Sequence, residues 1–230
     1  MTSDRVFLIT GASSGIGAAT ARAAAAEGWR LVLAARSIET LEVLAAELGG
    51  PDRAVAVECD VTDWADQQAA VITCLEHFGR LDAAWANAGF GSQRSFLGDT
   101  VDHWRQLVLT NVYGVALTIR ATMPALKEAK GHLLLTGSAT GRRSVPGSLY
   151  SATKHAVHAM GENARLELDG TGVRVTVIAP GVVDTPFFEQ VPLDEPLWPD
   201  DVARAVMYAL SQPPHVDVNE ILVRPTAQPQ

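Results

Sequence analysis

Val6-Phe7-Leu8-Ile9-Thr10-Gly11-Ala12-Ser13-Ser14-Gly15-Ile16-Gly17 decides the fold. An apolar β-type run ends in a glycine-rich turn that opens straight into an Ala-rich helical stretch, Ile16 to Glu27. Glycines at such a turn allow a sharp bend, close approach of backbone to an anion and tight packing of helix on strand, while the helix start offers unpaired N–H groups. The spacing is G-x-x-x-G-x-G, which departs from the commoner G-x-G-x-x-G. A plain strand-to-helix turn uses the same residue types; the strand-turn-helix context favours a diphosphate site at Gly11, Ser13, Ser14, Gly15, Ile16 and Gly17.

Outward from this turn the pattern repeats. Apolar runs rich in Val, Ile and Leu predict strands at Val6 to Thr10, Leu31 to Ala35, Ala54 to Cys59, Leu81 to Ala86, His132 to Thr136, Val173 to Ile178 and Glu220 to Val223. Helical spacing lies between them at Ile38 to Leu48, Trp64 to His77, one long stretch from Val101 to Glu128, Ser151 to Asp169 and Asp200 to Leu210. Alternation of this kind predicts an α/β fold: a Rossmann-type, doubly wound parallel sheet of about seven strands with helices on both faces. Thr185 to Pro199, broken by Pro186, Pro192, Pro196 and Pro199, is read as a functional loop beyond the carboxyl ends of the strands.

At 230 residues the chain is expected to form a single domain, 1–230, with cofactor and substrate on one sheet edge. Hydrophobic residues make up 47%, enough for a sizeable core. The net charge of −8 argues against nucleic acid or an anionic membrane as partner, which leaves a small-molecule ligand. The start Met1-Thr2-Ser3-Asp4-Arg5 lacks the pattern of a signal peptide, and no apolar run reaches the length of a membrane span. Cys59 and Cys74 read as small core residues, and a cytoplasmic location is expected.

The second strand ends in Ala35-Arg36-Ser37, where an NAD-binding chain would place an acid to hold the ribose 2′-hydroxyl. Arg36 instead offers a fork of donors suited to a 2′-phosphate, and Ser37 a further hydroxyl that can also cap the next helix. That favours NADP over NAD, the alternative being a surface arginine beside a helix cap.

Tyr150-Ser151-Ala152-Thr153-Lys154 places a phenol and an ammonium four residues apart on one helix face. A neighbouring cation lowers a phenol's pKa toward the range useful for proton exchange with a carbonyl oxygen. An amphipathic helix with an exposed lysine has the same spacing. Ser138, at the end of Leu133-Leu134-Leu135-Thr136-Gly137-Ser138, can donate to a developing alkoxide. Asn111 is a polar residue inside an apolar helical stretch, placed to organise water. Taken singly, the two also read as a turn hydroxyl and a satisfied core amide.

Together these residues resemble the short-chain dehydrogenase/reductase family over essentially the whole chain. The resemblance rests on the glycine turn, Asp60-Val61, Asn87-Ala88-Gly89, Asn111, Ser138, Tyr150-x-x-x-Lys154 and Pro180-Gly181-Val182-Val183-Asp184-Thr185. It implies Tyr150 as general acid/base, Lys154 lowering its pKa and binding the nicotinamide ribose, Ser138 orienting the carbonyl and Asn111 supporting a relay water. It further implies adenine contacts from Asp60 and Val61, a cleft wall from Asn87, Ala88 and Gly89, and a nicotinamide site at Pro180, Gly181, Val183 and Thr185. Hydride would leave the pro-S face of NADPH for a carbonyl substrate, or return from an alcohol, in a homodimer or homotetramer built through the helices carrying Asn111 and Tyr150. No metal is implied, and His155 and His158 are read as packing or surface residues.

Two departures from the family pattern stand out: Ala86 replaces a second asparagine before Asn87, and the segment from Ser138 to Tyr150 is about one residue short. Phe90, Leu149, Phe187, Phe188 and Trp198 are candidates for an apolar pocket, whereas Arg142 and Arg143 read first as a solvated pair and second as a carboxylate site. The terminal stretch Asn219 to Thr226 resembles the branch holding 3-hydroxy-acid and serine dehydrogenases. Two readings from other classes compete. A non-catalytic NADP-binding sensor has no need of the Asn111, Ser138, Tyr150 and Lys154 set, and a methyltransferase would want an acid where Arg36 stands.

Overall fold

The structure, a computed structural model, describes residues 5–228. The N-terminal segment read above for a signal peptide therefore lies, but for Arg5, outside the described residues. Seven parallel strands, β1 (Val6–Thr10), β2 (Arg30–Ala35), β3 (Ala54–Glu58), β4 (Ala83–Ala86), β5 (His132–Thr136), β6 (Arg174–Pro180) and β7 (Glu220–Val223), lie in the order β3-β2-β1-β4-β5-β6-β7. The Rossmann-type doubly wound sheet expected from the sequence is the fold found. Strand order reverses between β1 and β4, which opens a crevice at their carboxyl ends.

Successive strand residues point to opposite faces, so the strands inside the sheet need apolar residues at consecutive positions, while the edge strands β3 and β7 are only partly buried. Phe7, Ile9, Leu31, Leu33, Trp85 and Ile178 pack under α1 (Gly15–Ala26), α2 (Ile38–Glu47) and α7 (Pro199–Ser211). Val6, Leu8, Val32, Leu133, Leu135 and Val177 pack under α3 (Trp64–Phe78), α5 (Val115–Ala129) and α6 (Leu149–Glu167). Small residues on α1, among them Ala18, Ala21 and Ala24, let that helix sit close to the sheet. Phe7 and Trp85 stack at 6.5 Å beneath it, a contact worth about 0.5–1.5 kcal/mol beyond the area it buries.

Three differences from the sequence reading bear on the site. The stretch read as one helix from Val101 to Glu128 is α4 (Val101–Val108), a π-helical turn (Leu109–Gly114) and α5. At that turn the helix comes so close to the loop after β3 that a Cβ on Gly114 would lie 2.9 Å from the Val61 side chain. Second, β6 runs two residues past its expected end, because Ala179 and Pro180 pair with β7. Third, Ser37 stands at the start of α2 but its hydroxyl makes no capping bond there.

Thr185 to Pro199 is irregular up to the start of α7, and its base is pinned. Asp184 N–H donates to the Leu197 carbonyl at 2.8 Å, and Leu197 N–H donates to the Val182 carbonyl at 2.9 Å. Pro199 opens α7, where Asp201 accepts from the Trp198 N–H at 2.7 Å.

Candidate active site

A cleft of about 840 Å³ lies over the carboxyl ends of the strands, near the upper end of the usual range for ligand sites. Every catalytic and cofactor-binding residue expected from the sequence lines it except Asn111.

At one end of the cleft is the glycine turn. Gly11 has φ +66°, and a Cβ there would sit 2.8 Å from the Ala88 backbone; a Cβ on Gly17 would strike the Gly11 carbonyl oxygen. Bare backbone is thus required where β1 meets α1. Ser13, Ser14, Gly15 and Ile16 complete the lining, and the hydroxyl of Ser14 makes no capping bond to α1. Arg36 and Ser37 extend from the end of β2, exposed and facing the same space, and Arg36 makes no hydrogen bond or ion pair with any described residue. Across from them Asp60 accepts from the N–H and hydroxyl of Thr62 at 2.9 and 2.8 Å, and it is the one acid on the described lining. Cys59 lies beside it, its thiol pushed up to about 12 by burial, with neighbouring aspartates adding to the shift.

Asn87 ties three strands together at the crevice. Its side chain donates to the Thr10 and Gly11 carbonyls at 3.0 and 3.3 Å, and it accepts from the Thr136 hydroxyl at 3.1 Å. Ala86, where a second asparagine was expected, is buried at the end of β4, and the turn is intact without it.

The reactive groups converge at the other end. Ser138 follows β5, and Tyr150 and Lys154 occupy the first turns of α6, whose start is capped by the Ser148 hydroxyl. Buried Lys154 donates from Nζ to the Thr136 carbonyl at 2.7 Å and stands 5.7 Å from the centre of the Tyr150 ring. Burial lowers its ammonium to about 8. The Tyr150 phenol is raised to about 12 by burial, and a hydrogen bond with Ser138 opposes that shift. In the protein alone, therefore, burial sets the direction, opposite to the lowering expected from Lys154.

Asn111 is fully buried behind the wall. Its amide donates to the Phe90 carbonyl at 2.9 Å and to the Thr153 hydroxyl at 3.3 Å, and it accepts from the Phe90 N–H at 3.1 Å. Its side chain is engaged in holding the loop after β4 and the helix carrying Tyr150, rather than open to the cleft.

Phe90, Phe187 and Phe188 line the cleft, with Phe187 5.5 Å from the Tyr150 ring. Leu149 and Trp198 do not, and Trp198 is largely exposed. The arginine pair divides: Arg142 binds Glu220 and Glu162 at the surface, while Arg143 lines the cleft. Gln106, Thr110 and Gln228 also line it and were missed. Gln106 and Thr110, four apart on the helix that carries Asn111, had a legible signal in that spacing; Gln228 had none. His155 bonds back to its own helix, and among the described residues no cluster of three or more His, Cys, Asp or Glu is arranged to hold a metal. No helix among them is long and apolar enough to cross a membrane.

The family model described as short chain dehydrogenase matches residues 5–196. A protein of Staphylococcus aureus described as an uncharacterised oxidoreductase is 40% identical over 226 residues, covering 96% of this chain and 97% of its own. Among solved structures, an alcohol dehydrogenase of Thermococcus sibiricus complexed with 5-hydroxy-NADP is similar with a TM-score of 0.91 at 33% identity, covering 98% of each chain. A 3-ketoacyl-(acyl-carrier-protein) reductase of Brucella melitensis complexed with NADH has a TM-score of 0.88 at 30% identity, covering 97% of this chain and 98% of its own.

Proposed function

The chain belongs to the short-chain dehydrogenase family of oxidoreductases, and from that membership we propose that it is an NADP(H)-dependent carbonyl reductase or alcohol dehydrogenase, one domain over 1–230. The observation that carries this reading is the convergence of Ser138, Tyr150 and Lys154 at one end of a cleft whose other end is a glycine-lined turn at a helix start.

The residues present fit a dinucleotide phosphate. Gly11 and Gly17 leave a cradle that a Cβ would fill, α1 has no acid in its first turn to repel an anion, and Arg36 has no partner among the described residues. In this reading Gly11 to Gly17 with Ser13 and Ser14 hold the diphosphate, Arg36 and Ser37 the 2′-phosphate, and Asp60 and Val61 the adenosine. Asn87, Ala88 and Gly89 form the floor, and Pro180, Gly181, Val183 and Thr185 face the nicotinamide. The nicotinamide, when bound, supplies or accepts the hydride.

The chain's own chemistry concerns the proton. Ser138 and Tyr150 donate hydrogen bonds to the substrate oxygen, which concentrates donors where negative charge grows in the transition state. Tyr150, protonated at neutral pH, then gives its proton to that oxygen. Lys154 keeps a positive charge beside the phenolate so formed and binds the ribose. Asn111 acts as a positioning residue, through Phe90 and Thr153.

The test is oxidation of NADPH across ketones, aldehydes and 3-oxo acids, with Tyr150→Phe as control. Turnover that this variant loses supports the reading; tight NADPH binding with no turnover on the whole panel would point to the sensor instead. For the cofactor, Arg36→Asp is expected to weaken NADPH binding by about tenfold to a hundredfold, since it removes a charge-assisted fork and adds repulsion. Isothermal titration of both proteins reads this, and equal affinities would remove the NADP preference.

The same proposal covers assembly and location. Tyr113 and Leu166 are exposed apolar residues on the helices expected to pair, beside a groove lined by Trp64, Leu117 and Met123. Sedimentation at working concentration is expected to give at least a dimer; a mass near 24 kDa would refute it. Two buried free thiols, Cys59 and Cys74, suit the cytoplasm.

A further inference from the structure

We infer that His158 is a positioning residue for Ser138: its imidazole holds the Ser138 backbone from behind and, on taking up a proton, moves its contact from the N–H to the carbonyl of that residue. The inference rests on the reading of Ser138 as a donor to the substrate oxygen.

His158 lies on α6 one turn beyond Lys154 and is 2% exposed. Its Nε2 stands 3.3 Å from the Ser138 nitrogen and 3.2 Å from the Ser138 carbonyl oxygen, and either contact has acceptable hydrogen-bond geometry. The ring fills the space beneath the Ser138 turn, and a Cβ on Gly137 or Gly141 would collide with it. Thr136-Gly137-Ser138-Ala139-Thr140-Gly141 thus has its glycines where the imidazole requires them.

The other ring nitrogen sets the choice between the two contacts. Nδ1 is buried without a hydrogen-bond partner and faces Glu220 Oε1 on β7 at 3.6 Å, too long for a hydrogen bond but a close charge contact. A carboxylate on that side favours a proton on Nδ1, which leaves Nε2 as a lone pair to accept the Ser138 N–H. A second proton makes Nε2 a donor, and its acceptor within reach is then the Ser138 carbonyl. One proton therefore exchanges the point by which the Ser138 backbone is held. The Ser138 hydroxyl, which bonds to Tyr150, is carried on the Cα between those two contacts.

Several charged groups weigh on this proton. Burial, Arg142 and His155 oppose it, while Glu220 and the Ser138 backbone favour it. Glu220 is itself held by Arg142, with Nε 3.2 and 3.0 Å from its two oxygens, and Arg142 also reaches Glu162 at 3.4 Å. Arg165 adds a further positive charge near Glu220. The balance leaves His158 below the ordinary imidazole value, so the accepting form holds at neutral pH and the donating form appears only on acidification.

The test combines nitrogen NMR of the imidazoles in the whole protein with the pH dependence of kcat for carbonyl reduction. His158 is expected as the Nδ1–H form at neutral pH, titrating below about 6.5, and wild-type kcat is expected to fall on the acid side with the same midpoint. His158→Gln, which keeps a polar group but cannot titrate, is expected to lower kcat by about tenfold to a hundredfold, remove the acid limb and leave NADPH affinity unchanged. Glu220→Gln, a milder change at the sheet edge, is expected to move the limb to lower pH. An Nε2–H form at neutral pH, or His158→Gln with wild-type kcat and an unchanged limb, would overturn the inference. Failure of the catalytic reading is seen separately, as turnover retained in Tyr150→Phe, and the NMR titration does not depend on turnover.

Discussion

Tyr150→Phe is expected to lower kcat for carbonyl reduction by about 10²–10⁴-fold while NADPH binding stays largely intact. The substitution removes one oxygen. The ring keeps its packing against Phe187, and Lys154 keeps its hydrogen bond to the Thr136 carbonyl. What is lost is the proton that must reach the substrate oxygen as hydride arrives. The pH dependence of the wild type follows from the same two groups. With the phenol at about 12, Tyr150 is protonated throughout the neutral range, so reduction has its proton donor there. Proton donation leaves a phenolate that needs the neighbouring cation, and Lys154 loses its charge as pH rises through about 8. The reductive rate is therefore expected to be sustained through neutral pH and to fall above about pH 8. Stopped-flow oxidation of NADPH across pH, in wild type and variant, checks both statements.

Ser138→Ala is expected to cost about 10²–10³-fold in kcat, the scale for removing one preorganised donor from a site of developing charge. Ser138 is 6% exposed, and its oxygen accepts from the Thr140 N–H at 3.1 Å, which fixes where the hydroxyl stands. It also bonds to Tyr150 and offsets part of the rise that burial imposes on the phenol. The variant should thus show a second effect beside the slower rate: Tyr150 titrating higher still, visible as a displaced phenolate absorbance in an ultraviolet titration. A merely structural serine would leave that titration where it was. Ser138→Thr, which keeps the hydroxyl, is expected to recover part of the rate.

The fold was legible because its inner strands are buried on both faces, and local sequence then carries the signal: Phe7 and Ile9 face one helical layer, Val6 and Leu8 the other. The glycine turn and the Tyr150–Lys154 spacing were legible for a similar reason, since backbone conformation and helical periodicity fix them locally. What escaped was set by distant contacts. The π-helical turn at Leu109–Gly114 lies in sequence that suits an ordinary helix, and it coincides with the points where Asn111 grips Phe90 and Gly114 meets Val61. Arg142 and Arg143 are adjacent in sequence, yet one follows Glu220 to the surface and the other lines the cleft. Gln228 reaches the cleft from 46 positions away, accepting from the Val182 N–H at 3.0 Å. Burial is likewise collective, which is why the direction of the Tyr150 shift could not be read from the lysine four residues along.

The proposed function requires one cleft to join a nicotinamide site to a proton-donating tyrosine for transfer to a carbonyl. Its most direct test is deuterium transfer from NADPH labelled at the pro-S position, followed by mass spectrometry of the products from the carbonyl panel. Wild type is expected to give an alcohol carrying one deuterium on its carbinol carbon, and Tyr150→Phe almost none. Alcohol formed without deuterium, or labelled equally by both proteins, would contradict it.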